Sequence, residues 1–419
     1  MNITTKEKVV LMLIRRALFS SNEQPSSIGI KVSDIDWKSV SDEALAHAIS
    51  IATIDGTDGL ECEIPEEIIT DWQGKSIRLI IKNETLMSVQ QEMLEILEKE
   101  GISGAVIKGS AAAVCYTKPE LRVLGDIDFL VKEEDFDHTV DILKKNGFVK
   151  EDHESNPCHT ELFYNGCVIE IHRYVNGLPE GEMGEYIKSI YAKSLDGDLH
   201  NENIGDYTFP VTNDLCGALT LIMHTQGHIL RGGLGLRHLC DWAAFVDKKL
   251  TDELKAELEP ILEKIGLYKF YSVLTQVCQK FLLSEGFTLD ENLEDSEDLC
   301  DMLMQDFLFC GNFGRKDPAT LHGSNIFTKT TVVRTKDGGS VSKVKIGKNI
   351  MSFIKAAWPV TQKYPVLVPV AFVYIPIRYL FRVIRGKRRL VSTKFISTTS
   401  KRNSLYRQLD IFKSDEGGV

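Results

Sequence analysis

Residues 105–131 read AVIKGSAAAVCYTKPELRVLGDIDFLV, and the fold is decided here. The apolar run Ala105-Val106-Ile107 leads into Lys108-Gly109-Ser110. A second apolar run, Phe129-Leu130-Val131, follows Asp126-Ile127-Asp128. Side chains alternate faces along a strand, so Asp126 and Asp128 point the same way. Two carboxylates that close together repel, and a hard divalent ion with oxygen ligands answers that need. At the other end, Gly109 at a strand-to-helix turn allows backbone to approach a ligand closely. The N–H groups of the helix that follows then face an anion, and Ser110 adds a hydroxyl donor. An anion site at one end and metal-binding carboxylates at the other is the layout of a nucleotide site.

A third carboxylate is expected at Glu170. Cys167-Val168-Ile169-Glu170-Ile171-His172 alternates after the hairpin signal Asn165-Gly166, so Glu170 and His172 share a face of a strand beside that of Asp126 and Asp128. Together these stretches resemble the nucleotidyltransferase fold of the DNA polymerase beta superfamily, and more closely its bacterial branch of largely uncharacterised nucleotidyltransferases. The matching segments are GISGAVIKGSAAAVCY, LRVLGDIDFLV, ELFYNGCVIEIH and LIMHTQGH…LRHLCDWAAF, within roughly residues 40–250. Fifteen residues (111–125) separate Ser110 from Asp126, more than the superfamily usually places there.

The resemblance implies an α+β fold, a small mixed sheet with helices flanked by N-terminal and C-terminal helical regions. It also implies an enzyme that transfers NMP from an NTP to an acceptor hydroxyl or phosphate by a two-metal mechanism, with Mg²⁺ as the ion and Mn²⁺ as the alternative. Asp126, Asp128 and Glu170 would be the catalytic metal ligands. Gly109, Ser110, Lys108 and Arg122 would bind the nucleotide. His172, His224, His228 and Asp241 would line the substrate cleft. His224 and His228 stand at i, i+4 on an expected helix and share a face. Their stretch reads His-Thr-Gln-Gly-His and lacks the glutamate of a zinc-protease helix, so zinc proteolysis is excluded. His238 and Asp241 follow on the next helix.

Organisation along 419 residues is read as four regions: a helical lead-in at 1–100, the nucleotidyltransferase core at 101–206, a helical domain at 207–315, and a loop and basic, partly apolar segment at 316–419. Helices are expected over 5–19, 33–54 and 79–99, with 60–75 irregular and 176–206 a linker or flap. In the helical domain they are expected over 213–230, 236–248, 251–264, 266–282 and 293–309. A loop or hairpin is expected over 311–345, and a poorly ordered Ser/Thr-rich tail over 391–419. Nine scattered cysteines without a Cys-x-x-Cys pair argue against a disulfide framework or zinc ribbon, which points to a reducing cytoplasm.

The net charge of −11 conceals an asymmetry. Gly338 to Leu409 carries fifteen Lys/Arg and no Asp/Glu, leaving 34 basic and 60 acidic residues elsewhere. An acidic body without a nucleic-acid motif does not predict a nucleic-acid partner. The apolar stretch Tyr364–Ile377 is too short to span a bilayer. Followed by Arg378, Arg382, Arg385, Lys387, Arg388 and Arg389, it could rest on an anionic membrane surface or pack as a buried helix. Two functional alternatives stand beside catalysis: a nucleotide-binding regulatory module, and a membrane-surface protein acting through this basic segment.

Overall fold

A computed structural model describes residues 3–150, 158–179, 181–231, 233–283 and 296–312, together with Lys316 and parts of 351–409. At its centre is one seven-stranded mixed sheet in the order β3-β4-β5-β2-β1-β7-β6. The strands are β1 (Gly104–Ile107), β2 (Ile127–Val131), β3 (Val149–Lys150), β4 (His159–Tyr164), β5 (Cys167–His172), β6 (His200–Ile204) and β7 (Tyr207–Val211). β2 runs antiparallel to β1 and parallel to β5, and β7 runs parallel to β1. Every residue of β1 and β2 is buried, because both central strands are covered on both faces. The β4–β5 turn is Asn165-Gly166 with φ of +48° and +76°, the two positive values that a tight two-residue hairpin requires.

Helices surround this sheet, as the sequence leads one to expect of an α+β chain. α1 (Thr5–Leu18) is more than amphipathic: Val9 through Ile14 are all buried, because α2 (Trp37–Ala46) and α3 (Ser50–Asp55) pack against it. The single helix expected over 33–54 is therefore two. Ala48 at φ +55° breaks it, and the break frees the His47 ring to accept a bond from Leu236 N–H at 3.1 Å.

α4 (Glu66–Lys99) is longer than the 79–99 helix read from the sequence. Pro65 starts this helix at its N-cap instead of interrupting it, and Gly74, where even an added Cβ would meet nothing within 4 Å, is carried along. What holds the first turns is tertiary: Trp72 Nε1 donates to Ser50 Oγ at 3.0 Å, and the Ser50 and Ser76 hydroxyls meet at 2.9 Å. The expected flap at 176–206 instead contains α7 (Glu182–Gly197) and β6, and the sheet takes its seventh strand from beyond residue 206.

Between these come α5 (Gly109–Ala113) and α6 (Phe136–Lys145). The later helices fall close to their expected positions: α8 (Asp214–Arg231), α9 (Leu236–Lys249), α10 (Asp252–Lys264), α11 (Tyr268–Phe281) and α12 (Ser296–Cys310). Thr251 caps α10 by accepting from Leu254 N–H at 3.2 Å.

Apart from Gly311, Asn312 and Lys316, the loop expected at 311–345 lies outside the described residues. Within the tail expected to be poorly ordered, Arg402 pairs with Asp306 at 2.7 Å and Tyr406 donates to the Ile229 carbonyl at 3.0 Å. Leu405, Tyr406 and Leu409 join the main core, an apolar set at helical spacing that a composition-based reading passes over.

Candidate functional site

The site forms where β1, β2, β4 and β5 lie side by side. Asp128 and Glu170 are direct register partners on neighbouring parallel strands, and Ile107 of β1 is opposite Asp128 on its other side. Asp126 immediately precedes β2 and is half-buried. His172 Nε2 lies 2.9 Å from Asp128 Oδ1 and 3.1 Å from Glu170 Oε2, so one imidazole bridges two carboxylates. Lys108 Nζ lies 2.5 Å from the same Asp128 oxygen.

The charges of this cluster explain one another. Burial opposes the charge of Asp128, but Lys108 and His172 more than offset it and hold its carboxyl below the usual range. Burial likewise opposes the Lys108 ammonium, and Asp128 and Glu170 reverse the effect and raise it. In His172, burial and the Lys108 charge push down, while the bonds to Asp128 and Glu170 prevail and raise its pKa. Asp126 has no such partner. Burial, then the charges of Asp128 and Glu170, push it up to about 6. A carboxylate left in that state marks a place short of positive charge.

The donors fit a divalent cation. Carboxylate oxygens such as those of Asp126, Asp128 and Glu170 are of the hard type that Mg²⁺ prefers. His159, Glu170 and His172 also have ligand atoms within 4.8 Å of one another, and two imidazoles beside a carboxylate suit a divalent transition-metal ion. His159 was missed in the sequence reading. Counting outward from the Asn165-Gly166 turn pairs Tyr164 with Cys167 and, five steps on, His159 with His172, so the signal was present.

The turn after β1 is organised differently from expectation. α5, the helix that follows the turn, covers only Gly109–Ala113. The Ser110 hydroxyl is buried and donates to Gln90 Oε1 of α4 at 2.7 Å, so in this structure it serves the protein interior. Lys108 has φ +58°, a left-handed conformation that costs a non-glycine residue energy and recurs at functional sites. At Gly109, a Cβ would stand 3.5 Å from the Asp126 carbonyl, so the two ends of the 109–126 excursion meet there. Asn83 of α4 binds the far end, donating to the Arg122 carbonyl at 2.7 Å and accepting from Leu124 N–H at 2.8 Å.

Arg122 and Asp241, expected at the phosphate and in the cleft, pair with each other. Arg122 Nε and Nη2 each lie 2.8 Å from one Asp241 oxygen, and Tyr116 donates to Asp241 Oδ1 at 2.8 Å. All three are buried. A guanidinium that meets a carboxylate fork to fork commits two of its five N–H donors to that partner. Arg237, unnoticed in the sequence, is buried beside them and donates to the Val123 carbonyl at 3.2 Å. Its charge also acts on Asp126.

His224 and His228 meet on α8 with ring centroids 4.3 Å apart, and His238 of α9 lies 5.5 and 5.7 Å from them. Burial first, then the Lys108 charge, hold His224 well below the ordinary histidine value. Burial and Arg237 do the same for His238. These helices thus present imidazoles near the charged cluster.

The sequence profile described as "Uncharacterised nucleotidyltransferase" matches residues 33–283, more than half the chain. The chain belongs to that family. All the residues of the carboxylate cluster, and the histidines of α8 and α9, fall inside the matched span. The crystal structure of an antigenic nucleotidyltransferase-like protein from Paracoccidioides brasiliensis aligns over 43% of this chain and 87% of that one, at 14% identity and a TM-score of 0.27. No curated protein matches the chain. Among the described residues, no helix of this family member is long and apolar enough to cross a membrane.

Proposed function

We propose that the protein transfers a nucleotidyl group from an NTP to the hydroxyl or phosphate of an acceptor. Membership in a nucleotidyltransferase family supports nucleotide transfer in general. The observation that carries the finer reading is the three-carboxylate cluster of Asp126, Asp128 and Glu170, two of them paired in register and the third pushed up to about 6 by burial and by its neighbours. Held by these residues, two divalent ions would supply the charge that stabilises the attacking and leaving oxygens of an in-line displacement.

In the transfer, the acceptor oxygen forms a bond to the α-phosphorus, the bond from that phosphorus to the bridging oxygen breaks, and pyrophosphate leaves. Asp128 carries both Lys108 and His172 on one oxygen, whereas Glu170, among the described residues, meets imidazoles and no ammonium, so we assign the acceptor's proton to Glu170. Were a cation held by Asp128, Lys108 would be a basic group available to the phosphates. The histidines of α8 and α9 bound the acceptor side.

A second reading, a nucleotide-binding module without catalysis, is favoured by the commitment of Ser110 to Gln90 and of Arg122 to Asp241. Calorimetric titration of the four NTPs with Mg²⁺ or Mn²⁺, beside an assay of pyrophosphate release over a panel of acceptors, separates the two. Metal-dependent binding that disappears in Asp126→Ala/Asp128→Ala, with pyrophosphate released, supports transfer. Binding without release under every acceptor supports the module. A double variant that binds and turns over like the wild type removes the carboxylate cluster from the function.

A further inference from the structure

The C-terminal helix Val368–Ile384 is seventeen residues of VPVAFVYIPIRYLFRVI, and its two sides differ. On one side Val368 and Ala371 are buried with Ile354 in a small cluster of their own, and Tyr374 lies against Trp358 with ring centroids 4.4 Å apart. The other side carries Val366 (80% exposed), Val370 (50%), Val373 (61%), Ile377 (49%) and Phe381 (57%), and Phe372 is exposed on the Val368 side. Their spacing of 4, 3, 4 and 4 residues makes one stripe along a helix and the turn that precedes it. Single exposed apolar residues are ordinary on any surface, but five large ones in line mark a surface that meets something.

From this stripe we infer that the helix lies in the interface of an anionic membrane, with the basic residues around it against lipid phosphates. At a rise of about 1.5 Å per residue, seventeen residues fall short of a hydrocarbon core roughly 30 Å thick, so the helix lies on the bilayer instead of crossing it. The charge pattern selects the partner. Fifteen Lys/Arg and no Asp/Glu between Gly338 and Leu409 surround the stripe in sequence, while the remainder carries 34 basic and 60 acidic residues. An anionic bilayer offers apolar depth and negative headgroups together, and it repels the acidic body, so contact runs through this segment alone. A second copy of the chain would bring two all-basic segments face to face. A nucleic acid would satisfy the charges and leave the apolar stripe in water.

Sedimentation of the full chain with vesicles tests this, using phosphatidylcholine alone and phosphatidylcholine with about one third phosphatidylglycerol. The wild type is expected to sediment with the anionic vesicles and to be released by salt. Val373→Ser/Ile377→Ser/Phe381→Ser, checked for folding by circular dichroism and for unchanged nucleotide binding, is expected to lose at least tenfold in partitioning. Arg385→Gln/Lys387→Gln/Arg388→Gln/Arg389→Gln is expected to lose a comparable factor on anionic vesicles only. Wild-type protein that stays in the supernatant with anionic vesicles overturns the inference. So does a serine variant that binds like the wild type, and so does a dimer in solution that the serine substitutions dissolve without any vesicle binding.

Discussion

Lys108 Nζ and Asp128 Oδ1 lie 2.5 Å apart with both side chains buried, so an ammonium occupies the position of the cation that the carboxylate cluster demands. The charge of Asp128 is thereby met within the protein itself. Removing the ammonium exposes that dependence. Lys108→Met keeps the length of the side chain and deletes its charge. Its expected loss of stability is about 3–5 kcal/mol, the usual consequence of orphaning a buried partner. Chemical denaturation without divalent ions measures it, and Mn²⁺ should restore part of the loss. An unchanged midpoint would show that His172 alone suffices for Asp128.

Asp126 differs from its two neighbours, because burial and the charges of Asp128 and Glu170 outweigh the pull of Lys108 and Arg237 on it. Asp126→Asn should leave the metal-free protein at least as stable as the wild type, while affinity for Mg²⁺ and Mn²⁺ falls at least tenfold by calorimetry. His159→Ala should weaken Mn²⁺ more than Mg²⁺, since an imidazole nitrogen is a better ligand for the softer ion. Equal losses for both ions would take His159 out of the ligand set.

The buried fork of Arg122 on Asp241 predicts a structural phenotype. Asp241→Ala leaves a guanidinium buried without its carboxylate and should cost about 3–5 kcal/mol in urea denaturation. Arg122→Met/Asp241→Leu should cost clearly less than the sum of its two single changes. Additive losses would mean that the pair contributes no coupling.

Glu43 gives the pH dependence. Burial works against its charge, but His47, Lys316 and Lys6 bring it down from 4.5 to about 2. Its contribution is therefore fully present above pH about 4.5 and is lost as pH falls towards 2. That shift corresponds to about 3 kcal/mol. Wild type and Glu43→Gln should differ by this order at pH 6 in denaturant titrations, and the gap should close as pH falls from 4.5 to 2. A gap that stays constant over this range would contradict the assignment.

Much of the fold was legible wherever the pattern was local. Apolar runs, the Asn165-Gly166 turn and the Asp126-Ile127-Asp128 alternation located β1, β2, β4 and β5, and counting from that turn would have added His159 to the site. What escaped notice depends on distant partners. Nothing near Ala48 announces a helix break, because the break answers to the Leu236 backbone on α9. Gly74 and Pro65 read as interruptions, yet Trp72 and Ser76 find buried partners on α3 and keep the helix whole. The pairing of Arg122 with Asp241 spans 119 positions, and the bond of Ser110 reaches back to Gln90. No spacing rule connects such pairs.

The bonds from Asn83 and Gln90 to the 109–126 excursion have a consequence for modularity. Its backbone and its serine are held by amides on a helix that ends before the first strand begins, and β1 is flanked by a strand from beyond residue 206. A transplanted 101–206 cassette would carry the acidic residues and leave behind both the helix that shapes their loop and the strand that closes their sheet. Swapping specificities between relatives therefore requires exchanging a noncontiguous set of positions, and natural drift in the helix and the excursion must proceed in concert.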